Sequence, residues 1–268
     1  MKKSFYYLQL NSYICNLFAI EKKANTKYIS IEIQHFISNQ NISNRVIIIR
    51  NTTMNKFITV EEAVEKVHDG MTIMVGGFLG VGTPISVIDA LAEKGVKDLT
   101  LICNDTAYPN KAVGKLISNR LVKKLIVSHI GTNEDTINQM NAGELDVEFS
   151  PQGTLAERVR AGGAGLGGVL TPTGLGTVVE EGKQKITVDG KEYLLEKPLK
   201  ADVALIGANI SDEDGNLIYI GTSQNFCPLM ATAAETVIVE PQEIVKTGTL
   251  AHEHIKTPGI FVDYIVKK

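Results

Sequence analysis

The chain has 268 residues, 44% of them hydrophobic and 21% charged, the proportions of a globular protein rather than a disordered one. Its net charge of −3 argues against a nucleic-acid binder, which carries a basic face. Three cysteines, Cys15, Cys103 and Cys227, are far apart and odd in number, which gives neither a disulfide framework nor a Cys-x-x-Cys metal signal; a reducing cytoplasm is the simplest setting, and no run of about 18 apolar residues suggests a membrane span.

Residues 1–53 are a different kind of sequence. They contain no Gly, Pro or Asp, but ten Ile and seven Asn. Seven basic residues face two acidic ones there, a balance of +5 that leaves −8 for the remainder. Three readings stay open. A signal peptide needs an unbroken apolar core, and Gln9, Asn11, Ser12 and Asn16 interrupt it. A small added domain is the second, with Tyr28 to Ile33 as a strand. The third, which the composition break favours, is a segment outside the working protein, with Met54 as the natural start. The expectation is an atypical extension over 1–53 and one α/β domain over 54–268.

From Met54 the pattern is regular. Thr59 predicts an N-cap, with Glu61, Glu62 and Glu65 near the positive end of a helix reaching Val67. A buried-type strand follows at Met71–Val75. Pro84 suits the first turn of a helix through Glu93, closed by Gly95. Short apolar strands are predicted at Leu99–Cys103, Leu125–His129 and Val147–Ser150, with helices at Ala112–Ser118, Asp135–Asn141 and Thr154–Ala161. This alternation predicts a mostly parallel sheet with helices on both faces. The later part adds β structure: a hairpin of Lys185–Val188 and Tyr193–Glu196 around Asp189-Gly190, strands at Asp202–Gly207 and Val237–Glu240, and a terminal strand at Gly259–Val266. Asp212 to Asn216 reads as a turn, since the later glutamate of a calcium loop is missing.

Ligands of such sheets sit beyond the carboxyl ends of the strands. The conspicuous residues fall there. After the first strand, Gly76-Gly77-Phe78-Leu79-Gly80-Val81-Gly82 is a loop whose glycines let backbone N–H groups approach a ligand, followed by a helix N-terminus suited to negative charge. Asn104-Asp105 follows the second strand, and spacing alone does not separate a pocket role from a turn role. Pro151-Gln152-Gly153 follows the fourth. The Gln152 amide is a neutral donor, and such a donor aimed at a developing oxyanion contributes about 3–4 kcal/mol. Thr154 and Glu157 also have the spacing of a capping box, which would fix the loop carrying Gln152.

Other motifs carry less. Gly163, Gly165 and Gly168 form a G-x-G-x-x-G that follows a helix, so it is read as a loop near the site and not as a dinucleotide motif. His252 and His254 lack a partner cluster and read as solvated surface. His129 has no Gly-x-Ser-x-Gly elbow around it. Cys103 reads as core packing. No metal site is expected. Glu180, Glu181 and Glu240 are the remaining acidic candidates.

The segment Gly76-Gly77-Phe78, Gly82 and Pro84 resembles the first signature of the family I coenzyme A transferases. Further likeness lies at Asn104-Asp105, Pro151–Arg160, Ala161–Gly168, Thr171–Gly176, Asn225-Phe226 and Thr257-Pro258-Gly259, so it covers nearly all of 54–268. The resemblance is to the α subunit, the half that lacks the nucleophilic glutamate, and no such glutamate motif is found here. It implies transfer of coenzyme A between short-chain acyl-CoA (acetyl-, acetoacetyl- or butyryl-CoA) and a carboxylate such as acetate or acetoacetate. A β subunit would supply the glutamate, commonly as α2β2. Coenzyme A is implied as a co-substrate, with no permanently bound cofactor, and its contact as Gly76–Gly82. Gln152 is implied as an oxyanion donor, and Asn104 and Asp105 as pocket residues. The alternatives are an acyl-CoA hydrolase subunit, which needs water and no acceptor acid, and a non-catalytic small-ligand sensor of related fold.

Overall fold

The computed structural model describes residues 55–267, so the readings made for residues 1–53 lie outside the described part. The chain runs β1 (Phe57–Ile58), α1 (Val60–Val64), β2 (Thr72–Val75), α2 (Ile85–Lys94), β3 (Leu99–Asp105), α3 (Gly114–Ser118), β4 (Val122–His129), α4 (Glu134–Asn141), β5 (Asp146–Phe149) and α5 (Gln152–Ala164). It continues with β6 (Val169–Thr171), β7 (Lys185–Val188), β8 (Lys191–Glu196), β9 (Ala201–Asp212), β10 (Leu217–Ile218), α6 (Cys227–Met230), β11 (Ala234–Val245) and β12 (Tyr264–Val266).

The central strands are apolar throughout because both of their faces are covered. Ile73 and Val75 pack on one side with Val87, Ile88 and Leu91 of α2. Met74, between them, faces the other side with Leu155 and Val159 of α5. Leu101 and Cys103 alternate with Ile102 in the same way. Side chains alternate along a strand, so a strand buried on both faces needs apolar residues at every position.

Among the described residues the main sheet has the order β1-β12-β11-β9-β2-β3-β4-β5, all parallel, with β10 antiparallel to β9. A separate antiparallel sheet has the order β6-β8-β7. From β2 the chain builds outward through β3, β4 and β5, then returns to lay β9 against the other side of β2. The strand order therefore reverses between β2 and β9, and the crevice above such a point is where parallel sheets bind ligands.

Local chemistry sets the ends of most elements. The Thr59 hydroxyl accepts from Glu62 N at 3.2 Å while the Glu62 carboxylate accepts from Thr59 N at 2.9 Å, a complete capping box worth about 1 kcal/mol. Helix α1 ends at Val64, short of Val67. Pro84 is the N-cap of α2 rather than its first helical residue, and Gly95 closes that helix in the left-handed conformation. The turn of the predicted hairpin has positive φ at both Asp189 (50°) and Gly190 (74°), as a two-residue hairpin requires. Asp212 to Asn216 makes the tight turn from β9 to β10, with Asn216 O accepting from Asp212 N at 3.1 Å.

The terminal strand is shorter than read, Tyr264–Val266 after a 3-10 turn at Gly259–Phe261, and three further expectations change. The Thr154–Glu157 capping box does not form: α5 starts two residues earlier, at Gln152, so Thr154 lies inside the first turn. Its hydroxyl is buried without a hydrogen-bond partner, and Glu157 pairs with Arg160 at 2.7 Å. Strands β9 and β11 are 12 residues each, twice or more the predicted lengths. Strand β11 runs past the predicted end at Glu240 through Pro241, where β12 flanks only Ile238 and Val239, so no neighbour asks for the missing N–H.

The third change concerns the glycine run after residue 161. Gly162 and Gly163 are helical and Gly165 is the left-handed cap of α5. They sit at the amino ends of β9 and β11, away from the carboxyl-end crevice, because 13 helical residues carry the chain back by about 20 Å. A Cβ on Gly162 would lie 1.8 Å from the Leu199 carbonyl oxygen, and one on Gly163 2.2 Å from the Thr232 hydroxyl. Glycine is there for close packing. Alanine in a helix ordinarily stabilises, yet Gly162→Ala is expected to destabilise by about 1–3 kcal/mol, read as a lower midpoint in urea unfolding.

Candidate active site

The crevice at the β2/β9 switch point is floored by the loop from Gly76 to Thr83. Its conformation is set largely by protein partners. Gly76 N donates to Leu205 O at 2.9 Å, Phe78 N to Val81 O at 3.0 Å, and Val81 N to Phe78 O at 2.9 Å. Gly77 N donates to the Asn225 side-chain oxygen at 3.0 Å, and Leu79 N to the Asp105 carboxylate at 3.1 Å. The Gly82 carbonyl accepts from Gly207 N at 2.9 Å, which ties the loop to β9.

The helix N-terminus that follows is also occupied. Glu240, buried on β11, accepts from Ser86 N at 3.3 Å and Val87 N at 3.1 Å. The glycine loop therefore does not present a row of free amides backed by an open helix dipole, as its sequence suggested. What it offers a ligand is shape: a half-buried ribbon with Phe78 (43%) and Val81 (49%) exposed on it. Asn225 is its clamp. Beyond Gly77, its oxygen accepts from Phe226 N at 2.6 Å, and its amide nitrogen donates to Val81 O, Thr222 O and Ser223 O at 2.9–3.1 Å. It does this with φ at 24°, an unusual value for a residue other than glycine. Neither the clamp nor the Glu240 cap was assigned from sequence, since each partner lies more than 140 positions away.

Asn104, Asp105 and Gln152 do come together. Asn104 and Asp105 end β3 and are 2% and 5% exposed. The Gln152 Nε2 donates to Asn104 Oδ1 at 2.8 Å, and the Ser128 hydroxyl on β4 is shared between the Asn104 backbone oxygen at 2.7 Å and that same side-chain oxygen at 3.0 Å. Gln152 itself is exposed and is the first residue of α5. Pro151, before it, supplies no side-chain cap, and the first turn holds no acidic residue. The positive end of this 13-residue helix thus faces the crevice uncompensated by its own sequence. His129 ends β4 and is exposed, and Gly131 follows the strand.

The remaining candidates are elsewhere or committed. Glu180 accepts from Gly176 N at 2.7 Å and pairs with Lys185, in the segment between β6 and β7. His252 and His254 are exposed on a short 3-10 turn. Among the described residues no group of three His, Cys, Asp or Glu side chains could hold a metal ion, and no helix is long and apolar enough to cross a membrane. Cys227 packs beneath the loop with its Sγ 3.5 Å from Gly82 O. Burial pushes its thiol up to about 12; burial and then the Asp105 charge push Cys103 up as well. Neither supplies a thiolate nucleophile at neutral pH. Alkylation of the native protein, mapped by peptide mass, is expected to leave Cys103 and Cys227 unlabelled and to reach both only after unfolding.

The family model described as coenzyme A transferase matches residues 57–268. The chain is 57% identical over 211 residues to acetate CoA-transferase subunit alpha of Escherichia coli, which spans 79% of this chain and 96% of that protein. It is 58% identical over 214 residues to the acetoacetyl-CoA:acetate/butyrate CoA transferase alpha subunit of Clostridium acetobutylicum, 80% of this chain and 98% of that one. Among solved structures, an acyl-CoA transferase from E. coli O157:H7 in thioester complex with CoA superposes with a TM-score of 0.70 at 25% identity. That match takes 79% of this chain but 47% of the solved one, so this chain spans about half of it. A match over this much of the sequence, at this identity and with the same sheet, has one meaning: the chain belongs to the coenzyme A transferase family.

Proposed function

We propose that this chain is the α subunit of a CoA-transferase that moves coenzyme A between a short-chain acyl-CoA, such as acetyl-, acetoacetyl- or butyryl-CoA, and a free carboxylate such as acetate or acetoacetate. It works with a β subunit, as α2β2. The observation that carries the proposal is the amide of Gln152, exposed at an uncapped helix N-terminus and held by Asn104 at the carboxyl ends of the strands. The crevice has a donor for an oxyanion, while the two carboxylates that hold its glycine loop and the helix behind it, Asp105 and Glu240, are each bonded to two backbone N–H groups. This supports a nucleophile supplied by the β subunit.

The chemistry then divides between two chains. A carboxylate of the β subunit attacks the thioester carbonyl, and the tetrahedral oxyanion is stabilised by the second N–H of the Gln152 amide together with the α5 dipole. Collapse expels CoA thiolate and leaves an acyl anhydride. The thiolate attacks the enzyme's side of that anhydride, which releases the first acid and forms an enzyme thioester. A second carboxylate reverses the sequence and leaves as the new acyl-CoA. Every step passes through an oxyanion, formed in turn on the substrate's acyl carbon and on the carboxyl carbon of the β subunit, and Gln152 serves the one it faces. Coenzyme A is a co-substrate, and its contact is the surface of Gly76, Gly77, Phe78, Leu79, Gly80, Val81 and Gly82, used for shape rather than for free amides.

The test is acyl-CoA:carboxylate transfer by the chain alone and after assembly with its β subunit. Transfer only in the assembled enzyme, dependent on an acceptor acid, is the expected result. Release of free CoA without an acceptor would make it a hydrolase subunit; ligand binding without turnover in either form would make it a sensor.

A further inference from the structure

We infer that Asp105 is a positioning residue, not a pocket residue: it sets the polarity of the hydrogen-bond chain that ends on Gln152. This rests on the reading of Gln152 as the oxyanion donor. The two ends of a side-chain amide have nearly the same shape, so only bonding partners decide which end faces where. A carboxylate accepts and cannot donate. Asp105 Oδ2 lies 2.8 Å from the Asn104 side chain, so Asn104 must turn its NH2 end toward it. The Asn104 oxygen is thereby sent to the other side, where it accepts from Gln152 Nε2, with Ser128 Oγ 3.0 Å from it and 2.7 Å from the Asn104 backbone oxygen. That in turn holds Gln152 with its nitrogen end inward. One N–H of that nitrogen is used on Asn104, and the second is left for an oxyanion. A flipped Gln152 would set its oxygen against the Asn104 oxygen, two acceptors with no proton between them.

The same carboxylate fixes the glycine loop. Its Oδ1 accepts from Ala107 N at 2.8 Å, and both its oxygens lie within 3.2 Å of Leu79 N. Leu79 is held at φ 48° and Ala107 at φ 50°, the left-handed region that leucine and alanine avoid. One buried side chain at the end of β3 thus governs both the loop and the amide across the crevice from it. Its three donors, Leu79 N, Ala107 N and the Asn104 amide, leave it little capacity for a ligand.

The experiment uses the enzyme assembled with its β subunit. Asp105→Asn keeps the size but allows an NH2 to face Asn104, so the chain can reverse. The expected result is a fall in kcat on the order of tenfold or more, the scale of a misplaced catalytic group. The side-chain amide resonance of Gln152, assigned by its loss in Gln152→Ala, should shift. In the Gln152→Ala background the same substitution should change kcat much less. The exchanged pair Asn104→Asp with Asp105→Asn returns an acceptor-only group to face Gln152, and should restore the resonance if Asp105 acts through polarity rather than by supporting the fold; kcat is no measure of rescue there, because a carboxylate at 104 sets a negative charge close to the oxyanion. An unmoved resonance in Asp105→Asn, an equal loss in the Gln152→Ala background, or no rescue of the resonance by the exchanged pair overturns the inference. If Gln152→Ala itself leaves kcat unchanged, the oxyanion reading fails, while the resonance and its rescue still decide what Asp105 does.

Discussion

Gln152→Ala is expected to lower kcat of the assembled enzyme by about 10²–10³-fold, the loss that follows removal of one preorganised oxyanion donor. On the proposed role the KM for acyl-CoA should change far less, because the second N–H of Gln152 would meet its acceptor only when charge has developed on the carbonyl oxygen. The geometry makes this a clean test. Gln152 is exposed and bonded through Asn104, so its truncation removes one hydrogen bond and opens no core cavity. A retained melting temperature with lost turnover is the expected pair of results. Unchanged turnover would remove Gln152 from the chemistry and leave only the α5 N–H groups to stabilise the oxyanion. Gln152→Glu should be at least as damaging, since it sets a negative charge beside the negative charge that forms in the reaction.

The second large effect is on stability. Arg158→Ala is expected to lower it by about 3 kcal/mol or more, the loss that follows breaking a buried ion pair from one side. Arg158 projects from the same helix as Gln152, with its side chain 7% exposed. Its Nη1 donates to Glu148 on β5 at 2.7 Å, and its Nε donates to Lys197 O at 3.0 Å. The Glu196 carboxylate at the end of β8 lies 3.7 Å from Nε and 2.6 Å from Lys183 Nζ. The guanidinium therefore joins α5, the main sheet and the small sheet. Alanine would leave Glu196, 1% exposed, with Lys183 alone. Arg158→Lys should fall between, because an ammonium cannot bond both Glu148 and Lys197 from a planar fork.

This network also has a pH signature. Burial acts to raise the Glu148 carboxyl, but the hydrogen bond and charge of Arg158, with help from Lys124, outweigh it and hold the group below its usual range. A carboxyl whose pKa falls on folding stabilises at pH above its unfolded value, and that contribution is lost as the pH drops through the folded value. Urea midpoints of wild type and Arg158→Ala should therefore differ most near neutrality and converge as the pH falls below the carboxylate range. A difference that stays constant into acid would mean that packing of the arginine stem, not its charge, carries the effect.

The placement of secondary structure was largely legible in the sequence, because it depends on neighbours. Apolar periodicity marked the parallel strands, and Gly95, Thr59 and Asp189-Gly190 marked ends and a turn through chemistry spanning three or four residues. Gln152 and Asn104 could be placed together for a related reason: in a parallel sheet every strand delivers its carboxyl end to the same edge. The sequence by itself thus determined a parallel α/β fold and which residues arrive at the crevice. The tertiary structure decided what those residues can do there. Glycines 76 to 82 looked like a cradle of free amides, but Asn225 and Asp105 take amides of the loop, and Glu240 takes those of the helix behind it. Thr154 looked like a cap and became the interior of a helix. Asp105, which looked like a ligand contact, accepts from Leu79 N, Ala107 N and the Asn104 amide. Whether a polar group is free or committed depends on partners that the crossovers bring from far along the chain, and no local pattern records them.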